Sequence, residues 1–437
     1  MIDDPISVLI ISPYFPPRKR VGSLRAFKFS KYLSNFNIRP IIVCLDSPDE
    51  QLSDDEKNSL KDCIIVNLAH PFDLTTKRSG SQLAWSEHGE QESKSLIDNS
   101  SSSFADLLDN WFPIDTWLPL LFSHRKQIAN VIQQNDCKLI WSTGDPWSSH
   151  CLARFLARKH RLPWIADFRD PWTLCSVRYN NRPALIRFLD RRAEKKIIKK
   201  ADRVVFTATS TQSNYSDYYK EHNYKFSTIY NSFDVQQSEI DYQITRNIDV
   251  FKILFFGRFR DLSPATPILR ILSIIKQQQP ELLPQINLIY FGDLRPADEQ
   301  FASDHGLTES LIKHEPVPHD QSRELLDQAD LLLLSTDPSR NEIIPAKLWD
   351  YLPSKTQILN IAPNPEIRTI LEETNRGVTF GHDDHELAAR FVVDKILESK
   401  ISSNRHPKNS KIEQYNSVST TQQLASLIRT TLSKNDK

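Results

Sequence analysis

Glycine is scarce, with nine residues in a chain of 437, where average usage of ~7% would supply roughly thirty. Little material is left for glycine-rich phosphate loops. Neither G-x-G-x-x-G, a P-loop, nor a G-x-S-x-G elbow occurs, which excludes the sequence signatures of dinucleotide binding, P-loop nucleotide hydrolysis and the serine-hydrolase elbow. Net charge is missing as well: Lys+Arg and Asp+Glu both number 55. A general nucleic-acid coat would be strongly basic, so no nucleic-acid partner is expected. The five cysteines (Cys44, Cys63, Cys137, Cys151, Cys175) are scattered and form no CxxC pair. That pattern suggests neither a disulfide framework nor a zinc site, and it fits a reducing cytoplasm. No D-x-D triplet is present, and the twelve histidines show no HxxxH spacing, so no catalytic metal is expected. No stretch approaches the ~18 uninterrupted apolar residues of a membrane span. The N-terminus, MIDDPISVLIIS, opens on acids and lacks the basic n-region of a signal peptide. A cytoplasmic protein is expected, one that meets a membrane only peripherally if at all.

What is present is material for large cores, with 39% hydrophobic residues and a length that favours two or three domains. Ser7–Ser12 (SVLIIS) reads as a buried strand, followed by a loop and then a helix in which Leu24, Phe27 and Leu33 fall near one face. Arg39–Leu45 is a second strand, giving a βαβ start. The residues 73–104 are dominated by Ser, Glu, Asn and Lys and read as a flexible insertion. Strands resume at Lys138–Ser142, Pro163–Asp167, Arg203–Ala208 and Ser227–Tyr230, with helices at Trp147–Lys159 and Pro183–Lys200 between them. After a polar stretch the rhythm restarts at Lys252–Gly257, Asn287–Gly292, Asp330–Ser335, Thr356–Ala362 and Gly377–Phe380. The division expected is an N-terminal Rossmann-like domain over 1–235, a linker at 236–250, a second Rossmann-like domain over 251–410, and a C-terminal helix and tail at 411–437. Both domains are α/β and doubly wound, with ligand sites at the carboxyl ends of strands and an interdomain cleft between them.

Four stretches carry a resemblance to glycosyltransferase family 4, running from about Val8 to Phe380. SPYFPP followed by GSLRAFKFSKYL is similar to the family's first loop and helix. PWIADFRDPW at Pro163–Trp172, followed by Glu194 and ADRVVF, is the second, and IYNSFD at Ile229–Asp234 is the third. IPAKLWDYL at Ile344–Leu352 resembles P-x-K-x-x-E-Y-L. The resemblance implies a GT-B fold, a nucleotide-sugar donor, retention of anomeric configuration, and no required metal or cofactor.

Such chemistry expels a nucleoside diphosphate, so cations and backbone N–H groups must meet charge growing on phosphate oxygens. Arg258, directly after a strand, stands where such a cation belongs, and Arg260 shares the loop; either is otherwise a solvated loop residue. The lysine that commonly follows this arginine in the family is absent from RFRDLSPATP. Glu342 and Asp350 are spaced as E-x7-D where the family has E-x7-E, and the resemblance would place Glu342 near the transferred sugar and Asp350 on the ribose hydroxyls, a carboxylate being suited to a vicinal diol. Pro345 would open the helix carrying Lys347 and Asp350, whose start is expected to face a phosphate, with Lys347 contacting the donor or pairing with an acid. In the first domain Gly22 and Ser23 open a helix at which a diphosphate would bind. Arg25 is expected at the acceptor or at solvent. Asp170 is expected to orient the acceptor hydroxyl and Arg169 to bind substrate anions; the same pair would equally fix the loop as a salt bridge. The family's histidine is missing there.

Two surface features stand apart. Arg187–Arg203 holds eight basic residues, with Leu189, Ala193, Ile197 and Ala201 at helical spacing, and reads as a docked helix with a solvated face or as an anionic-membrane contact. Trp111–Phe122 is aromatic and reads as core beside the insertion rather than as an interfacial element. The function expected is transfer of a sugar from a nucleotide-sugar donor to a glycan or lipid-linked acceptor in surface polysaccharide biosynthesis. The alternatives are a nucleotide-sugar epimerase on the same fold and a catalytically silent binding subunit.

Overall fold

The computed structural model describes residues 4–18, 21–46, 51–69, 110–175, 179–180, 182–234, 250–315, 322–401 and 410–435. The insertion expected at 73–104, and the linker expected at 236–250 up to its last residue, lie outside them. The described residues form two compact units, one reaching to Asp234 and taking in the chain again from Tyr415, the other made of the residues between.

The first unit is a seven-stranded sheet in the order β3-β2-β1-β4-β5-β6-β7. Its strands are β1 (Ile6–Ile11), β2 (Ile38–Leu45), β3 (Ile64–Leu68), β4 (Leu139–Gly144), β5 (Trp164–Phe168), β6 (Arg203–Phe206) and β7 (Phe226–Thr228). Every pairing is parallel, with Val8 opposite Pro40 on one side and Leu139 on the other. Parallel strands joined by helical crossovers are covered on both faces, which is why β1 and β4 read as unbroken apolar runs. The order reverses between β1 and β4, and that switch point opens the loops after both strands to a ligand.

The second unit repeats the plan with β8 (Phe251–Phe255), β9 (Ile286–Phe291), β10 (Leu311–His314), β11 (Leu331–Ser335), β12 (Gln357–Ile361) and β13 (Gly377–Phe380). Its order is β10-β9-β8-β11-β12-β13, all parallel, with the switch point between β8 and β11. The two Rossmann-like sheets match the expected doubly wound class. The strands not foreseen, β3 and β10, are edge strands. An edge strand is covered less fully, so its sequence (IIVNL, LIKH) carries polar residues and a weaker apolar signal.

Two helix faces differ from the expected ones. Helix Val21–Leu33 buries Ala26, Phe29 and Leu33, leaving Leu24 and Phe27 half-buried. Helix Ala184–Lys200 buries Ile186, Asp190, Glu194, Ile197 and Ile198, so its inward face carries two acids and Leu189 and Ala193 sit at its margin. Trp111–Phe122 is divided: Leu121 is buried and Ile114, Trp117 and Phe122 pack on the core, while Trp111 projects into solvent. The closing helix Ser417–Asn435 returns to the first unit, where Leu424, Ala425 and Ile428 join Ala26, Phe29 and Leu33 in one core. Among the described residues no helix is long and apolar enough to cross a membrane.

Candidate active site

In the second unit the site grows from the carboxyl end of β8. The backbone turns sharply at Gly257, whose φ of +135° disfavours any side chain. A Cβ there would stand 2.9 Å from the Lys347 Cε. Lys347 arrives from helix Ala346–Tyr351, which follows β11, the neighbour of β8 across the switch point. Its ammonium lies 5.0 Å above the Phe255 ring, a cation–π contact that steadies a flexible stem. The helix is pinned to the strand end because the Phe256 N–H donates to the Tyr351 hydroxyl at 2.8 Å; burial pushes the Tyr351 phenol well up, so that hydroxyl stays neutral. Arg258, the next residue, is exposed, with its stem against Gly292 at the end of β9. The structure thus brings Arg258 and Lys347 to one turn.

The two candidate acids lie in the chain after β11. Glu342 is buried in the loop after β11 and Asp350 is half-buried on the short helix. Asn364, at the start of helix Pro365–Thr374, donates to the Ile343 carbonyl at 3.2 Å and so fixes the chain beside Glu342. Pro345 caps the helix instead of lying in its first turn, and the helix is only six residues long. So short a helix sums few peptide dipoles, so the cation offered here is Lys347 itself and the expected role of the helix start is reduced. Arg260 is held by its own backbone, exchanging hydrogen bonds with Ser263 at 3.1 and 3.0 Å.

In the first unit Arg169 reaches the opening of helix Val21–Leu33. A Cβ on Gly22 would stand 2.0 Å from the Arg169 Nη1, so glycine is what lets the guanidinium lie on the helix start. The Arg169 Nε donates to Asp170 at 3.0 Å, whereas its Nη1 is buried with no hydrogen-bond partner among the described residues. Burial opposes the Arg169 charge, but Asp170 and Asp145 outweigh it and hold the group above its ordinary value. A cation laid on the positive end of a helix makes a local field that favours an anion. Ser23 points the other way, its hydroxyl donating to the Arg18 carbonyl at 3.1 Å.

Arg25 is buried. Its Nε and Nη2 grip the Asp167 carboxylate at 2.7–3.1 Å, and its Nη1 donates to the Tyr230 carbonyl and the Asn231 side chain. Thr143 adds a bond to Asp167 at 2.8 Å. Between solvent and the acceptor, the roles expected of it, the structure gives Arg25 a third partner: it ties the first helix to β5.

Below Asp170 the loop is held by Glu194. This fully buried carboxylate accepts from the Thr173 N–H at 2.8 Å and hydroxyl at 2.7 Å, and from Tyr215 and Tyr219 at 2.9 and 2.7 Å. The Tyr215 hydroxyl accepts from the Trp172 N–H at 2.8 Å, and Trp172 stacks on Trp147. Burial raises the Glu194 carboxyl, with its donors pulling the other way. The nearby His150 is neutral, its pKa pushed down to about 3 by burial, and its Nδ1 lies 2.8 Å from the Ser142 hydroxyl. Among the described residues no cluster of three or more His, Cys, Asp and Glu gathers to hold a metal ion.

Residues 97–237, which include the Asp167–Asp170 loop and Glu194, match Glycosyltransferase Family 4. Along its whole length the chain superposes on sucrose-phosphate synthase from Thermosynechococcus elongatus (TM-score 0.65, 14% identity, covering 98% of this chain and all of that one). HepE of Anabaena, in complex with UDP, superposes with a TM-score of 0.59 at 13% identity over 98% of this chain and 100% of its own. The lipopolysaccharide outer core galactosyltransferase WaaB in its apo form gives 0.53 at 10% identity over 97% and 99%. The chain has the GT-B fold, and its residues 97–237 are similar to glycosyltransferase family 4. No curated protein is matched by sequence.

Within that segment, sequence reasoning passed over Asp167 as the partner of Arg25, and it quoted Glu194 only as part of the resemblance. A strand-end acid in PWIAD, in a place otherwise apolar, was the available signal for the first. For Glu194 the signal was an acid on the same helical face as Ile197. Gly257 and Tyr351 were also missed, since nothing local marks a strand end that must accept a lysine from the next crossover.

Proposed function

We propose that this chain is a retaining glycosyltransferase that moves a sugar from a nucleotide-sugar donor to a glycan or lipid-linked acceptor in building a surface polysaccharide. The observation that supports the reading is the Lys347 side chain lying against Gly257, the residue before Arg258, at the carboxyl end of β8. When the bond from the anomeric carbon to the diphosphate oxygen breaks, charge grows on phosphate oxygens, and preplaced cations stabilise that state more than the ground state. Arg258 is the principal cation and Lys347 the second, standing in for the lysine absent after Arg258, with Arg260 as a further donor contact. Glu342 would lie by the transferred sugar and Asp350 would accept from the ribose hydroxyls. In the first unit, Arg169 and the helix start at Gly22 would receive an anionic group of the substrates, and Asp170 would orient the acceptor hydroxyl. Neither a metal nor a cofactor enters this scheme, and the protein would work on the cytoplasmic side in peripheral contact with the membrane.

HepE has been captured with UDP and with UDP-glucose, which puts UDP-sugars first in the test. The full chain is incubated with a panel of nucleotide sugars and a lipid extract, with and without a chelator, and the products are weighed by mass spectrometry. The expected result is an acceptor heavier by one sugar, formed equally well in chelator. An isomerised donor would replace this reading with the epimerase, and an untouched but tightly bound donor would replace it with the silent subunit. Loss of transfer in chelator, restored by magnesium, would overturn the metal-free scheme.

A further inference from the structure

We propose that the outward face of helix Ala184–Lys200 docks on an anionic lipid surface. The helix has acids and bases in sequence, but the fold sorts them. Asp190 and Glu194 are both fully buried. Asp190 accepts from the Ile114 N–H at 2.7 Å and pairs with Arg182, and Glu194 is taken by Thr173, Tyr215 and Tyr219. What remains on the exposed face is cationic: Arg191, Arg192, Lys195, Lys196, Lys199 and Lys200 all face solvent. No acid of this helix stands among them, although the chain as a whole has no net charge.

The other end of the same face is apolar. Leu185 is 67% and Phe188 58% exposed, and with Arg192, Lys195 and Lys199 they follow helical spacing along one line. Exposed large apolar groups at one end and a row of cations over the next ~14 Å of helix suit an interface in which the apolar end enters the headgroup–acyl boundary while the cations lie over anionic headgroups. A nucleic acid would instead favour aromatics interleaved with the cations so that bases stack between phosphate contacts. The proposal rests on the peripheral membrane contact of the proposed function but on none of its chemistry.

The test is flotation of the full chain with phosphatidylcholine vesicles, with and without phosphatidylglycerol. Binding is expected only to the vesicles containing phosphatidylglycerol, and it should be lost at high salt as screening shortens the reach of the cations. Reversal of the cationic row (Arg192→Glu, Lys195→Glu, Lys196→Glu, Lys199→Glu) should weaken that binding on the order of a hundredfold or more. Leu185→Ser with Phe188→Ser should weaken it separately while leaving the salt dependence in place. Donor hydrolysis and transfer to a soluble acceptor should be unchanged in both variants, since none of these residues lies at the candidate site. Flotation does not depend on turnover, so vesicle binding by a chain inactive on every donor would refute the proposed reaction and leave the docking surface standing. Equal binding to neutral vesicles, binding to neither, or variants that float like the parent would overturn it. So would competition by single-stranded nucleic acid with no vesicle binding, or a change in oligomeric state as the only consequence of the substitutions.

Discussion

Arg258 and Lys347 occupy one turn but are held differently, and their variants should behave differently. Arg258 is exposed, with only its stem braced on Gly292, so its guanidinium is available to charge that appears during bond breaking. Arg258→Ala should therefore lower kcat by the equivalent of about 2.7–4 kcal/mol, the usual loss of one transition-state donor, and leave the donor KM nearly unchanged. Steady-state kinetics with donor varied decides it, and an unchanged kcat sinks the assignment. Gly22 offers a second residue-scale test, because a methyl group there collides with the Arg169 guanidinium. The colliding atom is the end of a flexible side chain, and alanine is favoured over glycine in a helix by about 0.5–1 kcal/mol. Gly22→Ala should therefore melt no lower than the parent while turnover falls, as the guanidinium is displaced from the helix start. Turnover equal to the parent, in a variant of equal Tm, would remove Arg169 from the site.

At the scale of elements, the loop that bears Asp170 depends on helices that follow it in the chain. Glu194 on Ala184–Lys200 and Tyr215 on Thr209–Tyr218 together hold the successive amides of Trp172 and Thr173. Glu194→Ala strands several buried donors at once and should cost about 3–5 kcal/mol of stability. Hydrogen exchange should show the Trp172 and Thr173 amides opening faster, and Glu194→Gln should recover most of the protection. Protection unchanged in the alanine variant would mean that the loop is held by Trp172 stacking alone. This is also the scale at which the sequence was hardest to read. Inner strands such as β1 and β11 announce themselves because covering both faces demands apolar side chains throughout, and from them the doubly wound class follows. The edge strands β3 and β10 lack that demand. Asp190 and Glu194 lie on the buried face of their helix, and only the donors brought by distant segments make that burial tolerable. Likewise the Arg25–Asp167 pair spans 142 positions and the Phe256–Tyr351 bond 95. Candidate cations and acids could be named from motif and strand ends, but the partners that position them could not, because those contacts are made by topology.

For the whole molecule, the chain leaves the first unit after Asp234 and re-enters it at Tyr415. The junction is specific: the Phe233 N–H donates to the Tyr415 carbonyl at 3.3 Å, and the Ser417 N–H returns a bond to the Phe233 carbonyl at 2.8 Å. From there helix Ser417–Asn435 places Leu424, Ala425 and Ile428 against the helix that begins at Val21 and carries Gly22. The C-terminal residues are therefore part of the first unit's core and support the helix whose start receives Arg169. Ile428→Ala empties a fully buried position, for which such truncations cost roughly 2–5 kcal/mol. Each unit has its own core, so denaturation should resolve two transitions and only the first unit's should move. Trp141 and Trp164 are buried in the first unit and Trp349 in the second, so single-tryptophan versions report the two separately. The expected result is an earlier transition at Trp141 and an unshifted one at Trp349. A shift at Trp349 equal to that at Trp141 would show that the closing helix stabilises the chain as a single cooperative block, and no shift at either would show that the helix end is dispensable to the core it completes.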